Sequence, residues 1–243
     1  MVITEHCYDN LLQLVAASRQ LSGRWIGNRH YKMKFDITLK QYELIYRIVS
    51  SVGEKFSHGA GRSCQFYNVN GAFILEKIFK VKARPIMGAA FIKLTNDKGT
   101  LSFAGKEGSN FYSSPKAFHC WIETENNILD FTAPEYREAL NQAGTDNRVK
   151  RHMFQRSKTS MSESPLEISN VGDFYFESNR ELTNYLLTTM NEKLGIRDLA
   201  EICLEWCKIS KKSKNGLSTF NITDDLGQVT PITPISRKLT GSW

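Results

Sequence analysis

Cys64, His119 and Asp130 are residues of the types that together make a nucleophilic thiol. A thiol attacks a carbonyl carbon only when its thiolate form is stabilised and a base is at hand to accept its proton. Histidine is the usual base, and a carboxylate bonded to the second ring nitrogen holds the imidazole in place. The first hypothesis for this chain is therefore a triad of Cys64, His119 and Asp130.

Cys64 is predicted to lie in the first turn of a mostly buried helix. Gly59 and Gly61 make a loop before it, and Ser63 can cap the helix. Apolar residues then recur at helical spacing, namely Phe66, Val69, Ala72, Phe73, Leu75, Ile78 and Phe79. The unpaired N–H groups and the dipole of a helix N-terminus both favour negative charge, so this position would stabilise a thiolate.

His119 and Asp130 are predicted to lie on the two strands of one β-hairpin. Two strand-like runs flank Glu125-Asn126-Asn127, which is a turn signature. With the turn centred there, the numbers of paired residues sum to about 252, so Asp130 faces Ile122 and is offset by about three residues from His119. This register does not place the two side chains on one face, and a shift of one residue in the turn would.

The remaining elements alternate between helical and strand periods. Amphipathic helices are predicted at about 7–21, 39–56, 180–195 and 196–210, a shorter helix near 135–144, and strands at 83–94, 99–105 and 172–178. Asp36 and Thr38 offer a cap ahead of the second helix. We predict a single α+β domain over residues 1–210, followed by a C-terminal extension or tail over 211–243.

Composition limits the classes of protein that this chain can belong to. It is 41% hydrophobic and 23% charged, which is typical of a globular protein. Five cysteines without regular spacing argue against a disulfide framework. No secretory leader and no apolar run of about 20 residues is visible, so we predict a cytoplasmic location and no membrane partner.

The excess of positive charge favours an anionic partner. The net charge is +7, and two basic clusters stand out, 148–152 and 208–214. A solvated polar face is the usual role of such clusters. Cys203 and Cys207 are spaced for one helix face, but a zinc site would need two further ligands. We predict no metal and no cofactor.

Three short motifs carry a resemblance to a known group of enzymes. They are Ser63-Cys64-Gln65, His119-Cys120-Trp121-Ile122-Glu123 and Leu129-Asp130-Phe131-Thr132. Their order and context resemble the core of papain-like and transglutaminase-like cysteine enzymes, and the stretch from about 40 to 180 is similar to an uncharacterised bacterial family in the papain-like group. The resemblance implies a papain-like core, with the nucleophile helix packed on an antiparallel sheet and additional helices on both sides.

The resemblance also directs attention to the groups that would bind substrate. Papain-like enzymes usually place a side-chain amide before the nucleophile to help bind the oxyanion, and here no Gln or Asn lies between Glu54 and Ser63. His58, together with the Cys64 backbone N–H, is the candidate for that role, and Gln65 is the other side chain nearby. Trp121 shares the face of His119, where it would line a substrate groove or pack in the core.

Three hypotheses about function follow from the sequence. The first is a cysteine hydrolase or acyltransferase that acts on an amide or acyl bond of a peptide, a protein or a small amide. The second is an inactive relative of such enzymes that binds a protein or a peptide. The third is a basic protein that binds nucleic acid. The sequence does not set the oligomeric state.

Overall fold

A computed structural model of the protein describes residues 35–56, 64–96, 100–142 and 149–243. The α-helices in these ranges are α1 (Leu39–Phe56), α2 (Cys64–Ile74), α3 (Tyr136–Gln142), α4 (Arg180–Asn191) and α5 (Leu194–Lys212). The strands are β1 (Arg84–Ile92), β2 (Leu101–Phe103), β3 (Gly105–Glu107), β4 (Asn110–Tyr112), β5 (His119–Glu123), β6 (Asn127–Asp130), β7 (Phe154–Ser157), β8 (Phe174–Ser178), β9 (Phe220–Thr223) and β10 (Val229–Ile232). The α+β class is confirmed, and the helix predicted at 7–21 lies outside the described residues.

A six-stranded sheet, in which every pair of strands is antiparallel, forms the centre of the fold. The first half of β1 pairs with β5, so that Gly88 lies opposite His119. The second half of β1 pairs with β2 and β8, and β6 and β7 continue the sheet beyond β5. The strand that carries His119 is thus held between two neighbours, which fixes its position.

Helices α1 and α2 begin where the sequence predicts. Thr38 and Gln41 cap α1 reciprocally, with the Thr38 N–H donating to Gln41 Oε1 at 2.8 Å and the Gln41 N–H to Thr38 Oγ1 at 3.3 Å. Helix α2 begins at Cys64 and continues as a π-helical turn, Leu75–Phe79. Lys80 ends that turn in the left-handed conformation, and its N–H donates to the Leu75 carbonyl.

Gly71 allows α2 to approach the sheet closely. A Cβ atom at this position would lie 2.2 Å from Cδ2 of Phe131 and 3.3 Å from Cδ1 of Ile122. Any larger residue would push the helix away from the strands that carry His119 and Asp130. The lack of a side chain at Gly71 therefore helps to hold Cys64, seven residues earlier on the helix, near those two residues.

The segment predicted as a tail packs against the rest of the domain. It contains the β9–β10 hairpin, and Phe35–Trp243 forms one compact unit. Arg237 makes ion pairs with Glu54 at 2.6 Å and with Glu135 at 3.0 Å, and the Trp243 N–H donates to the Met153 carbonyl. Within the described ranges, none of the helices has the length and apolar character needed to cross a membrane.

Candidate active site

The β5–β6 hairpin puts His119 and Asp130 on the same face. Ile122 pairs with Leu129, so the register is shifted by one residue from the predicted one, in which Ile122 faces Asp130. The reason is the length of the turn, because the N–H of Thr124, directly after β5, donates to the Asn127 carbonyl and leaves only Glu125-Asn126 in the loop. The predicted register is therefore wrong, and the observed one allows the two side chains to meet.

His119 and Asp130 form a buried ion pair. Nε2 of His119 lies 2.7 Å from Oδ2 of Asp130, and both residues have an exposed fraction of 0%. The Tyr136 hydroxyl also donates to Oδ2, and its oxygen lies 3.1 Å from His119 Nε2. Oδ1 of Asp130 accepts from Asn68 Nδ2 and from the Thr132 N–H, each at 2.8 Å. The carboxylate thus has donors on both oxygens, as a buried charge requires.

The pair holds His119 in its protonated form. Burial by itself would lower the pKa of His119, but the charge of Asp130 and the hydrogen bond to it outweigh burial and raise the pKa from 6.5 to about 10. Burial would likewise raise the pKa of Asp130, and His119, Tyr136 and Asn68 lower it instead. Near neutral pH the site therefore contains an imidazolium and a carboxylate.

Cys64 lies close to the imidazole of His119. Asp130 and Tyr136 both occupy the Nε2 side, and Nδ1 is buried without a hydrogen bond of ordinary geometry to any described residue. The Cys64 side chain lies close enough to the ring to contribute to its raised pKa. Cys64 itself is only partly buried, whereas His119 and Asp130 are fully buried. The structure thus brings the three predicted residues together.

Aromatic rings cover the faces of His119. The ring of Phe103 stacks on the imidazole at a centroid distance of 4.4 Å, and Phe176 meets it edge-on at 6.1 Å. These rings keep water from the His119–Asp130 pair, which strengthens the attraction between the two charges. The imidazole is therefore fixed by packing as well as by its hydrogen bonds.

The three residues predicted to bind substrate, or to line its groove, have different surroundings in the structure. The Gln65 amide donates to the Leu186 carbonyl on α4 at 3.0 Å, and its role as an oxyanion donor stays a prediction. Trp121 is fully buried, packs on Phe176 at 4.9 Å and does not line an open groove. His58 lies outside the described residues, and its role stays a prediction.

Asn68 and Tyr136 are site residues that sequence reasoning missed. Asn68 was detectable, because it is a polar residue four positions after Cys64 in a mostly buried helix and therefore on the same helix face. Tyr136 had no such signal, since it follows the Pro134 turn and its contact with Asp130 depends on how the short 3-10 helix Ala133–Glu135 folds back.

The first basic cluster is only partly available to an anionic partner. Arg151 forms an ion pair with Glu138 and donates to the Pro134 carbonyl at 2.9 Å. The ring of His152 meets that of Trp243 edge-on at 4.7 Å. These two members of the cluster therefore stabilise the fold, whereas Lys150 is exposed.

Cys203, Cys207 and the second basic cluster as far as Lys212 lie on α5. Lys211 donates to the Ile78 carbonyl at 3.1 Å and lies over the Phe79 ring. Cys203 and Cys207 are both buried. No group of three metal-binding side chains occurs among the described residues.

Fold and site together define the class of the protein. It is an α+β protein in which a cysteine at the start of a helix lies beside a buried histidine–aspartate pair on a neighbouring hairpin. The chain belongs to the family described as proteins of unknown function (DUF2026), whose model matches residues 38–243.

One solved structure similar to this chain is a crystal structure described as that of a genomics target. It is 28% identical in sequence, with a TM-score of 0.74, over 88% of this chain and 100% of that chain. No match was found among curated proteins. The chemistry of this site must therefore be argued from its own geometry.

Proposed function

We propose that the protein is a cysteine-dependent hydrolase or acyltransferase that acts on an amide or acyl bond. The observation that carries this proposal is the buried His119–Asp130 pair at 2.7 Å, which has the partly exposed Cys64 close to its imidazole. A histidine that is held charged beside a thiol at a helix start favours the thiolate form of that thiol. A structural cysteine needs none of these neighbours.

The reaction that this arrangement favours has two halves. The Cys64 sulfur attacks the carbonyl carbon of the substrate, and in this proposal the Cys64 backbone N–H at the start of α2 stabilises the oxyanion. His119 then gives its proton to the leaving amine or alcohol, the bond to that group breaks, and a thioester remains on Cys64. In the second half His119 takes a proton from water or from an acceptor amine, which attacks the thioester and releases the acid or the new amide.

Asp130 keeps His119 oriented through both halves. Its charge stabilises the imidazolium, and its two oxygens are held by separate donors, so the carboxylate cannot rotate away. The donors on Oδ1 come from α2 and from the chain after β6, and the donors on Oδ2 come from His119 and Tyr136. The orientation of the imidazole is therefore set before substrate arrives.

The papain-like assignment of the core belongs to the same proposal. It is supported by the order Cys, His, Asp along the chain, by the nucleophile at the first residue of α2, and by the packing of α2 on an antiparallel sheet whose β5 begins with His119. A reducing cytoplasm would keep the Cys64 thiol free, so we retain that location within the proposal.

Alkylation with iodoacetamide at pH 6 tests the proposal. Cys64 is expected to react well ahead of the other four cysteines of the chain, measured by peptide mass mapping after brief exposure. Cys120 is the internal control, because it is fully buried and burial raises the pKa of its thiol. Labelling of all five cysteines at the same rate would remove the case for an enzyme and leave a binding protein as the better hypothesis.

A further inference from the structure

Asn68 is a buried amide that lies within hydrogen-bond distance of groups that belong to, or directly follow, each of the three proposed catalytic residues. Its Nδ2 lies 3.1 Å from the Cys64 carbonyl oxygen and 2.7 Å from the Cys120 carbonyl oxygen. The same nitrogen lies 2.8 Å from Oδ1 of Asp130 and 3.1 Å from Oγ1 of Thr132. Two N–H bonds are thus shared among four acceptors on α2, β5 and the end of β6.

The oxygen of the same amide completes the link. Oδ1 of Asn68 accepts the Phe131 N–H at 2.8 Å, directly after Asp130. Cys120 is likewise the residue directly after His119. The Asn68 side chain therefore forms hydrogen bonds with the backbone carbonyl of Cys64 and with the backbone carbonyl of Cys120, next to His119. It also bonds to the side chain of Asp130 and to the backbone N–H of the residue after it.

We propose that Asn68 is a positioning residue that sets the separation between the Cys64 sulfur and the His119 imidazole. This inference rests on the function proposed above. The nucleophile helix and the hairpin have no covalent link near the site, so their separation depends on packing at Gly71 and on the bonds of Asn68. A displacement of about 1 Å at such a site lowers a rate by about 100-fold.

Only an amide suits this position. An aspartate would have no donor for the Cys120 carbonyl and would bring a second negative charge against Asp130 Oδ1. An alanine would leave the Cys120 carbonyl and one carboxylate oxygen of Asp130 with fewer donors in a buried place. The side chain at position 68 must therefore both donate and accept hydrogen bonds if it is to link α2 to the hairpin.

Asn70 provides a matched control on the same helix. It is also buried, but its Nδ2 donates to the Phe66 carbonyl at 2.8 Å, within α2 itself. Replacing Asn70 by alanine removes a buried amide of the same size without touching the hairpin. The difference between the two substitutions therefore isolates the contribution of the link to the sheet.

The experiment compares the rate of Cys64 alkylation by iodoacetamide at pH 6 and at pH 9 in the full chain. We expect Asn68→Ala to lower the rate at pH 6 by between about 10-fold and 100-fold, because reaction there depends on the nearby imidazolium. At pH 9 the rate should stay within about threefold of wild type, because an unassisted thiol with a pKa near 8.5 is largely ionised there. Asn70→Ala should match wild type at both pH values.

A second variant distinguishes loss of the Asn68 hydrogen bonds from misfolding of Asn68→Ala. Asn68→Ser keeps a hydroxyl that can bond to the Cys64 carbonyl one helical turn earlier, but its side chain is too short to replace the bonds to the hairpin. It should show the same selective loss at pH 6. A helix that is merely loosened would instead expose Cys120, Cys203 and Cys207 to labelling at both pH values.

Each outcome bears on one claim. A wild-type rate at pH 6 in Asn68→Ala or Asn68→Ser would overturn the role of Asn68 while leaving the proposed enzyme intact. So would an equal loss in Asn70→Ala accompanied by labelling of Cys120. If wild-type Cys64 itself shows no preference at pH 6, the proposed function fails, and this inference fails with it.

Discussion

The cysteines on α2 and α5 lie in the same molecule and differ in almost every respect that matters for reactivity. Cys64 is at the first residue of its helix, is partly exposed, and has a charged imidazole beside it. Cys203 and Cys207 are in the interior of α5 and are buried. Burial raises the pKa of both thiols, to about 12 for Cys207.

This difference shows that reactivity depends on a thiol's surroundings, since the residue type is the same. The interior of a helix has no unpaired N–H groups, so α5 offers no stabilisation to a thiolate. Cys64 is at the first residue of its helix, and in addition it lies near His119 and, behind it, Asp130, which both belong to the hairpin. Changes to these two residues should therefore remove the contrast between the two helices.

The largest effect is expected for His119→Ala. Loss of the imidazole should lower the alkylation rate of Cys64 at pH 6 by at least about 100-fold, the usual contribution of a positioned acid–base group. The rates of Cys203 and Cys207 should not change. The control is His152→Ala, since His152 packs on Trp243 away from the site. An unchanged Cys64 rate in His119→Ala would show that the contrast has another source.

The next effect is expected for Asp130→Asn. Removing one charge from a buried pair should lower the free energy of unfolding by about 3 kcal/mol, measured by urea denaturation. The pKa of His119 should also fall from about 10, because the charge that raises it is lost. Asp198→Asn on the exposed side of α5 should change stability by less than about 0.5 kcal/mol. Equal losses in both variants would contradict a buried ion pair.

The stability of the protein should also depend on pH through His119. Its pKa is 6.5 in an unfolded chain and about 10 in the folded one, so the folded state keeps a proton that the unfolded state releases. This contribution is fully present below about pH 6.5 and is lost as the pH rises to about 10. The loss should be on the order of 5 kcal/mol.

Urea denaturation at pH 6, 8 and 10 measures this loss, with His119→Ala as the control. The difference in free energy of unfolding between wild type and His119→Ala should shrink as the pH rises. A constant difference across that range would mean that His119 is not charged in the folded protein.

A smaller effect is expected for Tyr136→Phe. Its hydroxyl donates to Asp130 Oδ2, so its removal should lower the free energy of unfolding by about 1.5 kcal/mol. The pKa of Asp130 should also rise, because this hydrogen bond helps to lower it. The variant should therefore lose stability at a higher pH than wild type during acid titration.

Tyr67→Phe is the matched control for Tyr136→Phe. Tyr67 is a buried tyrosine whose hydroxyl bonds to Ser50 Oγ at 2.8 Å, away from the carboxylate. Loss of the Tyr67 hydroxyl should lower the free energy of unfolding by about 1 kcal/mol without changing the pH at which stability is lost during acid titration. If both variants lose stability at the same pH during acid titration, Tyr136 does not stabilise the Asp130 charge.

The sequence predicted the elements of the site better than their contacts. Strong helical periodicity and the Thr38 cap predicted α1 over 39–56, and the start of α2 at Cys64 followed from the residues before it. The hairpin was predicted but its register was not, because Glu125-Asn126-Asn127 is compatible with turns of different length.

The roles of Asn68 and Tyr136 depend on the tertiary fold. Asn68 contacts Cys120 and Asp130, which lie 52 and 62 positions further along the chain. No periodicity within one helix specifies such contacts. The bond of Gln65 could not be predicted for the same reason, since its partner Leu186 lies 121 positions away on α4.

The most direct test of the account is whether Cys64 can carry an acyl group. Brief exposure to p-nitrophenyl acetate near pH 7 should place one acetyl group on Cys64 as a thioester, with release of p-nitrophenolate, and peptide mass mapping identifies the site. The account predicts acetylation of Cys64 in the wild type and its loss in His119→Ala. Acetylation of Cys64 at the same rate in both proteins, or no preference for Cys64 over other side chains, would contradict it.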